Sequence, residues 1–277
     1  MKAALLQLSS GDDPLANLAT VRAMLAQARA LGAGLACTPE ITNLLTASRD
    51  HQRAVLRTEG DDPVLEGLRQ AAADLGIWLA IGSLALKAGE PDGRFANRSF
   101  LIDAQGGIVA RYDKIHMFDV HLSDGEVYRE SAAFRPGDSA VVADTPWGRV
   151  GLTICYDLRF PHLHRALAQA GADIILQPAA FTVPTGRAHW EVLLRARAIE
   201  TGCFVLAAAQ TGTHPRSIDA AERRTYGHSL AVAPWGEVLA DAGEAPGVTL
   251  VDLDLTQVAA ARGRVPSLTH DRGFAGP

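Results

Sequence analysis

Cys155 closes an apolar run, Gly151-Leu152-Thr153-Ile154-Cys155, and Tyr156-Asp157-Leu158-Arg159-Phe160-Pro161 follows it. A thiol at the carboxyl end of a strand stands where reacting groups collect in α/β folds. A helix starting just beyond would offer free N–H groups and a positive dipole end, favouring thiolate and oxyanion alike. Taken alone, Cys155 fits a buried structural thiol equally well. Glu40 ends a second strand-like run, Leu35-Ala36-Cys37-Thr38-Pro39. A carboxylate perched on a core strand is desolvated, and its pKa can rise toward that of a general base. By itself Glu40 also reads as a loop acid. Lys114, in Arg111-Tyr112-Asp113-Lys114-Ile115-His116-Met117-Phe118-Asp119, is either a solvated face residue or an ammonium aimed into a site. His116 and His228 are the candidate partners for a Cys–His dyad, since imidazole is the commonest activator of a thiol. Cys37 and Cys203 lie inside apolar runs and read as core residues.

The elements that must position these groups alternate short apolar strands with amphipathic helices. Lys2 to Leu8, Leu35 to Thr38, Ile77 to Leu86, Arg149 to Cys155, Asp173 to Pro178 and Cys203 to Ala209 read as strands. Leu18, Val21, Leu25 and Ala28 recur at helical spacing in a helix from Asn17 to Leu31. Further helices are expected over Asp62 to Leu75, Pro161 to Ala170 and Ala188 to Thr201, with a last one starting near Thr256. Hairpins around Gln105-Gly106-Gly107 and Pro234-Trp235-Gly236 make a purely parallel sheet a poor fit. A mixed sheet covered by helices is the better reading.

Composition excludes several classes. At 277 residues, 48% hydrophobic and 21% charged, the chain can bury a large core as one domain spanning residues 1–277. A net charge of −5 supplies no basic face for nucleic acid. The longest apolar run, Ile77 to Leu86, is about half a membrane span. The N-terminus reads as a strand rather than a signal segment. Three cysteines, an odd number, argue against a disulfide framework and fit a reducing, cytoplasmic setting. The histidines show no metal-ligand spacing, and no CxxC, HExxH, GxGxxG or GxSxG occurs, so no metal or cofactor is expected.

Three segments taken together decide between these readings. They are Thr38-Pro39-Glu40, Tyr112-Asp113-Lys114-Ile115-His116-Met117-Phe118-Asp119-Val120, and Cys155-Tyr156-Asp157-Leu158-Arg159-Phe160-Pro161. In this order they resemble the Glu, Lys and Cys motifs of the carbon–nitrogen hydrolase (nitrilase) superfamily. The resemblance extends through Pro178-Ala179-Ala180-Phe181, His189-Trp190-Glu191, Tyr226-Gly227-His228-Ser229 and Pro234-Trp235-Gly236. It implies an α/β fold, a four-layer α-β-β-α sandwich of two mixed β-sheets flanked by helices. It also implies a homodimer or higher even oligomer, paired through helices beside the active site. By the same resemblance, Cys155 attacks an amide carbonyl and Glu40 takes the thiol proton. Lys114 and the backbone N–H of Tyr156 hold the oxyanion, and water hydrolyses the thioester. Glu130 matches a second glutamate that positions Lys114, with Glu126 a nearby alternative. His116 becomes structural, which sets the dyad aside.

Within the superfamily the chain most resembles the Nit branch, whose members cleave the amide of a short α-keto dicarboxylate. Ala207-Ala208-Ala209-Gln210 and the loop bearing Arg223-Arg224 resemble the side that hydrolyses deaminated glutathione to 2-oxoglutarate and Cys-Gly. The alternatives are omega-amidase action on α-ketoglutaramate and N-carbamoyl amino-acid hydrolysis. Tyr156, Arg159 and Phe181 are the candidate substrate-binding residues, Arg159 because guanidinium matches carboxylate bidentately. The Gly212 to Thr225 loop carries Asp219 and Glu222 as well as its arginines, which leaves its part in specificity open. An intact Glu40, Lys114 and Cys155 set speaks against a silent, binding-only member.

Overall fold

In β1 (Lys2–Gln7), Ala3 and Leu5 join a core cluster with Leu152, Ile174 and Phe204. Ala4 and Leu6 join a second cluster with Val21, Leu25, Val64 and Leu68. Successive side chains of a strand point to opposite faces. One face of this sheet therefore meets a second sheet, and the other meets helices. The computed structural model describes residues 1–89, 91–121 and 127–276.

After β1 come α1 (Pro14–Ala30), β2 (Leu35–Cys37), α2 (Arg49–Val55), α3 (Pro63–Leu75), β3 (Trp78–Lys87), β4 (Phe95–Ile102) and β5 (Ile108–Asp113). A small hairpin, β6 (Asp119–His121) with β7 (Val127–Arg129), precedes β8 (Val141–Thr145), β9 (Gly148–Leu152), α4 (Pro161–Gln169) and β10 (Ile174–Leu176). Then follow α5 (Val183–Thr201), β11 (Phe204–Ala207) and a second hairpin, β12 (Thr211–Thr213) with β13 (Arg224–Tyr226). The last elements are β14 (Leu230–Val232), β15 (Val238–Asp241), β16 (Gly247–Asp252) and α6 (Thr256–Arg264).

The main sheets run β16-β1-β2-β3-β4-β5 and β15-β14-β11-β10-β9-β8. Both follow one plan: three parallel strands, β1-β2-β3 or β9-β10-β11, are flanked by antiparallel ones. This is the expected four-layer α/β sandwich with mixed sheets. Helices α1 and α3 cover the first sheet, and α4 packs on the second, where Gly151 leaves room for Leu167. Local chemistry sets the helix ends. Asp13 and Asp62 accept from first-turn N–H groups with proline next in line, and Gly76 ends α3 in the left-handed region at φ 59°. Among the described residues, no helix is long and apolar enough to cross a membrane.

Two expectations need correction. The strand expected to run to Cys155 stops at Leu152, because the Ile154 N–H donates to the Asp157 carboxylate at 2.8 Å instead of to a neighbouring strand. Cys155 opens a 3-10 turn, Cys155–Arg159, and α4 begins only at Pro161. The thiol therefore does not sit at the dipole end of an α-helix.

Candidate active site

Glu40 and Cys155 leave the carboxyl ends of parallel strands in opposite sheets, and Lys114 leaves β5. Each is held by backbone that the surroundings fix. Cys155 has φ 49°, a left-handed conformation that costs a non-glycine residue about 1–3 kcal/mol. Its N–H donates to Pro178 O at 2.8 Å, and Gln177 Nε2 donates to its carbonyl at 3.1 Å. Asp157, fully buried, accepts from Ile154 N, from Tyr112 Oη at 2.6 Å and from the His116 N–H at 3.1 Å. The His116 ring lies 2.7 Å from the same carboxylate through Nδ1. One carboxylate thus ties the turn of Cys155 to the segment that carries Lys114.

Glu40 is set by a bulge in β3. The register between β3 and β4 shifts between Ile81 and Leu84, and bulges commonly re-aim groups beside a site. Here Gly82 N donates to Thr38 Oγ1, Ser83 N to Pro39 O, and Ser83 Oγ accepts from Ile41 N. Any Cβ at Gly82 would collide with Thr38 O and with Pro178 of the facing sheet. Ile41, at φ 52°, is a β-branched residue in the left-handed region, directly after Glu40. Gln210 completes the clamp by donating to Glu40 O at 3.0 Å.

The side chains converge. Lys114 Nζ lies 2.8 Å from Glu40 Oε1 and 2.9 and 2.8 Å from the two oxygens of Glu130. Asn97 Nδ2 bridges the two carboxylates, at 2.9 Å from Glu40 and 3.3 Å from Glu130. Phe118 N donates to Glu130 at 2.7 Å, and Ala180 N to Glu40 Oε2 at 3.0 Å. Glu130 is therefore the acid beside Lys114, whereas Glu126 lies outside the described residues. Asn97 was not found from sequence. Nothing in the sequence sets it apart, since Arg98 and Ser99 follow it within β4.

Burial opposes the charge on Lys114, which is only 2% exposed, but Glu130, Glu40 and the nearby thiol outweigh it. Its pKa is held well above the usual lysine value, and it is a fixed cation. The Cys155 thiol moves up strongly, first by burial and then by the Glu40 carboxylate, with Lys114 and the Ala180 N–H pulling the other way. The thiol is thus protonated at neutral pH and needs a base at the moment of attack. This reverses the expectation that a helix end would favour a resting thiolate. The two candidate histidines are engaged elsewhere. His116 stacks on Phe160 at 3.5 Å, and His228 stacks on Tyr226 and faces Asp241.

Glu40, Lys114, Glu130 and Cys155 line a cavity of about 580 Å³, within the range of small-molecule sites. Arg159 and Phe181 line it too. The Arg159 guanidinium lies 5.9 Å from the Tyr156 ring and 5.7 Å from the Phe181 ring. Tyr156 itself is not in the wall; its ring packs between Phe118 and Phe160, at 5.2 and 5.4 Å, behind Arg159. Arg49, Arg129 and Arg223 also line the cavity, and of these only the Arg223 loop was marked by sequence. A thiol, a carboxylate and a fixed ammonium on one floor can add sulfur to a carbonyl, move its proton and stabilise the resulting oxyanion.

Fold and site together are those of a hydrolase of the nitrilase type. Residues 2–263 match the carbon–nitrogen hydrolase family, and the chain belongs to that family of amide-hydrolysing enzymes. It is 45% identical over 271 residues to the deaminated glutathione amidase of Yersinia enterocolitica, covering 97% of this chain and 92% of that one. The structure of the C. elegans NitFhit protein superposes with a TM-score of 0.88 at 36% identity, covering 98% of this chain and 65% of that longer one. A glutamate-to-glutamine variant of an amidase from Nesterenkonia sp. AN1, whose active-site cysteine has added acrylamide, matches with a TM-score of 0.77 at 29% identity. That match covers 96% of this chain and 98% of the other.

Proposed function

We propose that this chain hydrolyses deaminated glutathione to 2-oxoglutarate and Cys-Gly through a thioester on Cys155, and that residues 1–277 act as one domain. The observation that carries the mechanism is the buried Lys114 ammonium, within 2.9 Å of both Glu40 and Glu130 and close to the thiol. Sulfur attacks the amide carbon while Glu40 accepts the thiol proton. The carbonyl pair moves to oxygen, where Lys114 and the N–H of Tyr156 hold it. Glu40 returns the proton to the departing amine as the C–N bond breaks. Water then gives its proton to Glu40 and attacks the thioester, and the sulfur leaves reprotonated. Glu130 and Asn97 keep Lys114 in line. Arg159, stacked on Phe181, takes the α-keto carboxylate.

The substrate reading rests on the full-length likeness to deaminated glutathione amidases and on a cavity with room beyond a five-carbon acyl group. Comparing kcat/KM on deaminated glutathione and α-ketoglutaramate tests it. The first should win by more than about tenfold, or ~1.4 kcal/mol of transition-state binding. A ratio favouring α-ketoglutaramate makes the chain an omega-amidase.

The chain further acts, in this reading, as a cytoplasmic homodimer or higher even oligomer. Val192 and Ile199 on α5 and Trp235 beside them are 68%, 56% and 49% exposed, an apolar strip on a helix next to the site. The three cysteines are free and buried, as suits a reducing compartment. Sedimentation of Ile199→Glu should give monomer where the unaltered chain gives dimer.

A further inference from the structure

Four arginines line the cavity, and they are not equivalent. Arg49 donates to Ala132 O, and Arg129 acts on Asp119, whose pKa is lowered by burial-opposing bonds to Ser131 and by that charge. Among the described residues none of the four makes an ion pair, and Arg49, like Arg159 and Arg223, lies near an aromatic ring, 6.0 Å from that of Phe95. Arg159 lies against Tyr156 and Phe181, with Nη2 3.3 Å from His189 Nδ1, and Arg223 lies 5.5 Å from the Tyr128 ring. An aromatic face orients a guanidinium without neutralising it, so its fork stays open to a carboxylate.

The segment that presents Arg223 is tethered. Its carbonyl accepts from His214 N at 3.0 Å, one residue before β13 begins. The His214 ring is buried between Ser10 O at 2.8 Å and Thr225 Oγ1 at 2.7 Å. The Asp12 carboxylate accepts from Ser217 N at 2.7 Å and from Ile218 N at 3.3 Å. The guanidinium therefore belongs to the cavity wall. Glu222 beside it lines the same cavity and faces an amine-bearing or otherwise non-anionic stretch of ligand more comfortably than a second carboxylate.

We propose that Arg223 is a specificity residue that binds a carboxylate on the leaving-group side of the scissile amide, so that the enzyme reads a peptide-like amine ending in a free carboxylate. This rests on the proposed function, in which Arg159 takes the acyl-side carboxylate. It adds a role for the guanidinium that the hairpin of β12 and β13 brings to the same cavity. It also assigns the loop with Arg223 a direct part in choosing between an amine that carries a carboxylate and ammonia.

The test uses the full-length enzyme with three substrates: deaminated glutathione, the same molecule with its terminal glycine carboxylate converted to carboxamide, and α-ketoglutaramate. Arg223→Gln should lose about tenfold or more in kcat/KM on the first, mostly through KM, and stay unchanged on the other two. Arg223→Lys should recover part of the loss. The two unaffected substrates show that the variant is folded and that Glu40, Lys114 and Cys155 still work. Equal losses on all three substrates, or an unaltered enzyme that treats carboxylate and carboxamide alike, would overturn the assignment. A preference of the unaltered enzyme for α-ketoglutaramate would instead remove the proposed substrate, an outcome read before any variant is made.

Discussion

On the floor of the cavity, Lys114 and Asn97 each donate to both Glu40 and Glu130, over 2.8 to 3.3 Å. At its walls, Arg159 and Arg223 rest on aromatic rings and, among the described residues, pair with no carboxylate. The floor gathers its charges around one ammonium with two carboxylates, because an isolated charge in a site that dry costs several kcal/mol. The walls leave charge unpaired by carboxylates among the described residues, and in the proposed function the substrate supplies them. Reactivity and selectivity are thus built on different terms, and changes in the two regions should separate them.

The largest effect should come from the floor. Lys114→Met removes the cation between two buried carboxylates and, in the proposed mechanism, an oxyanion donor. We expect kcat to fall about a thousandfold and stability to fall by about 3 kcal/mol, read by single-turnover kinetics and urea unfolding. A kcat within tenfold of the original would break the contrast. Next is Asp157, which touches no substrate in this account but holds Tyr112, Ile154 and His116. Asp157→Asn should cost about 2 kcal/mol of stability and lower kcat with KM little changed, because the Cys155 turn and the Lys114 segment are no longer fastened together.

Much of the floor was legible in the sequence. Glu40, Lys114 and Cys155 stand out because three motifs occur in order, and Glu130 follows Lys114 at a recognisable remove. The short apolar runs of β1, β3 and β9 located the sheets, because strands covered on both faces bury nearly every side chain. Asn97 and Asp157 were not assigned roles, because Asn97 acts through contacts 33 and 57 residues away and Asp157, besides Ile154, through contacts 41 and 45 residues away. Nothing local marks such a partner. Helix α2, RDHQRAV, has no apolar stripe and depends on the Ser48 cap. The hairpins of β6 with β7 and β12 with β13 are strands of three residues, too short to show alternation. The end of β9 was misjudged because Thr153 and Ile154 look like more strand, while their hydrogen bonds go to Gln177, Leu176 and Asp157.

Acid should loosen floor and walls together. His164, below the floor, contacts the Gln177 side chain that holds the Cys155 carbonyl, and His214 lies below the Arg223 hairpin. Burial lowers both to about 4 from 6.5. A depressed histidine pKa means that folding favours the neutral ring. Its contribution is complete above pH 6.5 and is lost as pH falls toward 4, by up to about 2 kcal/mol per ring between pH 6.5 and 5. Urea midpoints at pH 7 and 5 should show this fall, and His164→Gln should show a smaller one. An equal fall in both proteins would mean that His164 does not carry it. The smallest effect belongs to Arg159→Lys, which should raise KM for an α-keto dicarboxylate amide about tenfold and leave a neutral amide nearly unchanged. Equal losses on both substrates would remove Arg159 from substrate recognition.

In the proposed mechanism the acyl group passes through Cys155 and no other thiol. Rapid acid quench during turnover of deaminated glutathione, followed by peptide mapping by mass spectrometry, tests it directly. A 2-oxoglutaryl thioester should appear on the peptide containing Cys155, be retained in a Cys37→Ala, Cys203→Ala double variant and be absent in Cys155→Ala, which should be inactive. An adduct on Cys37 or Cys203, or undiminished turnover by Cys155→Ala, would contradict it.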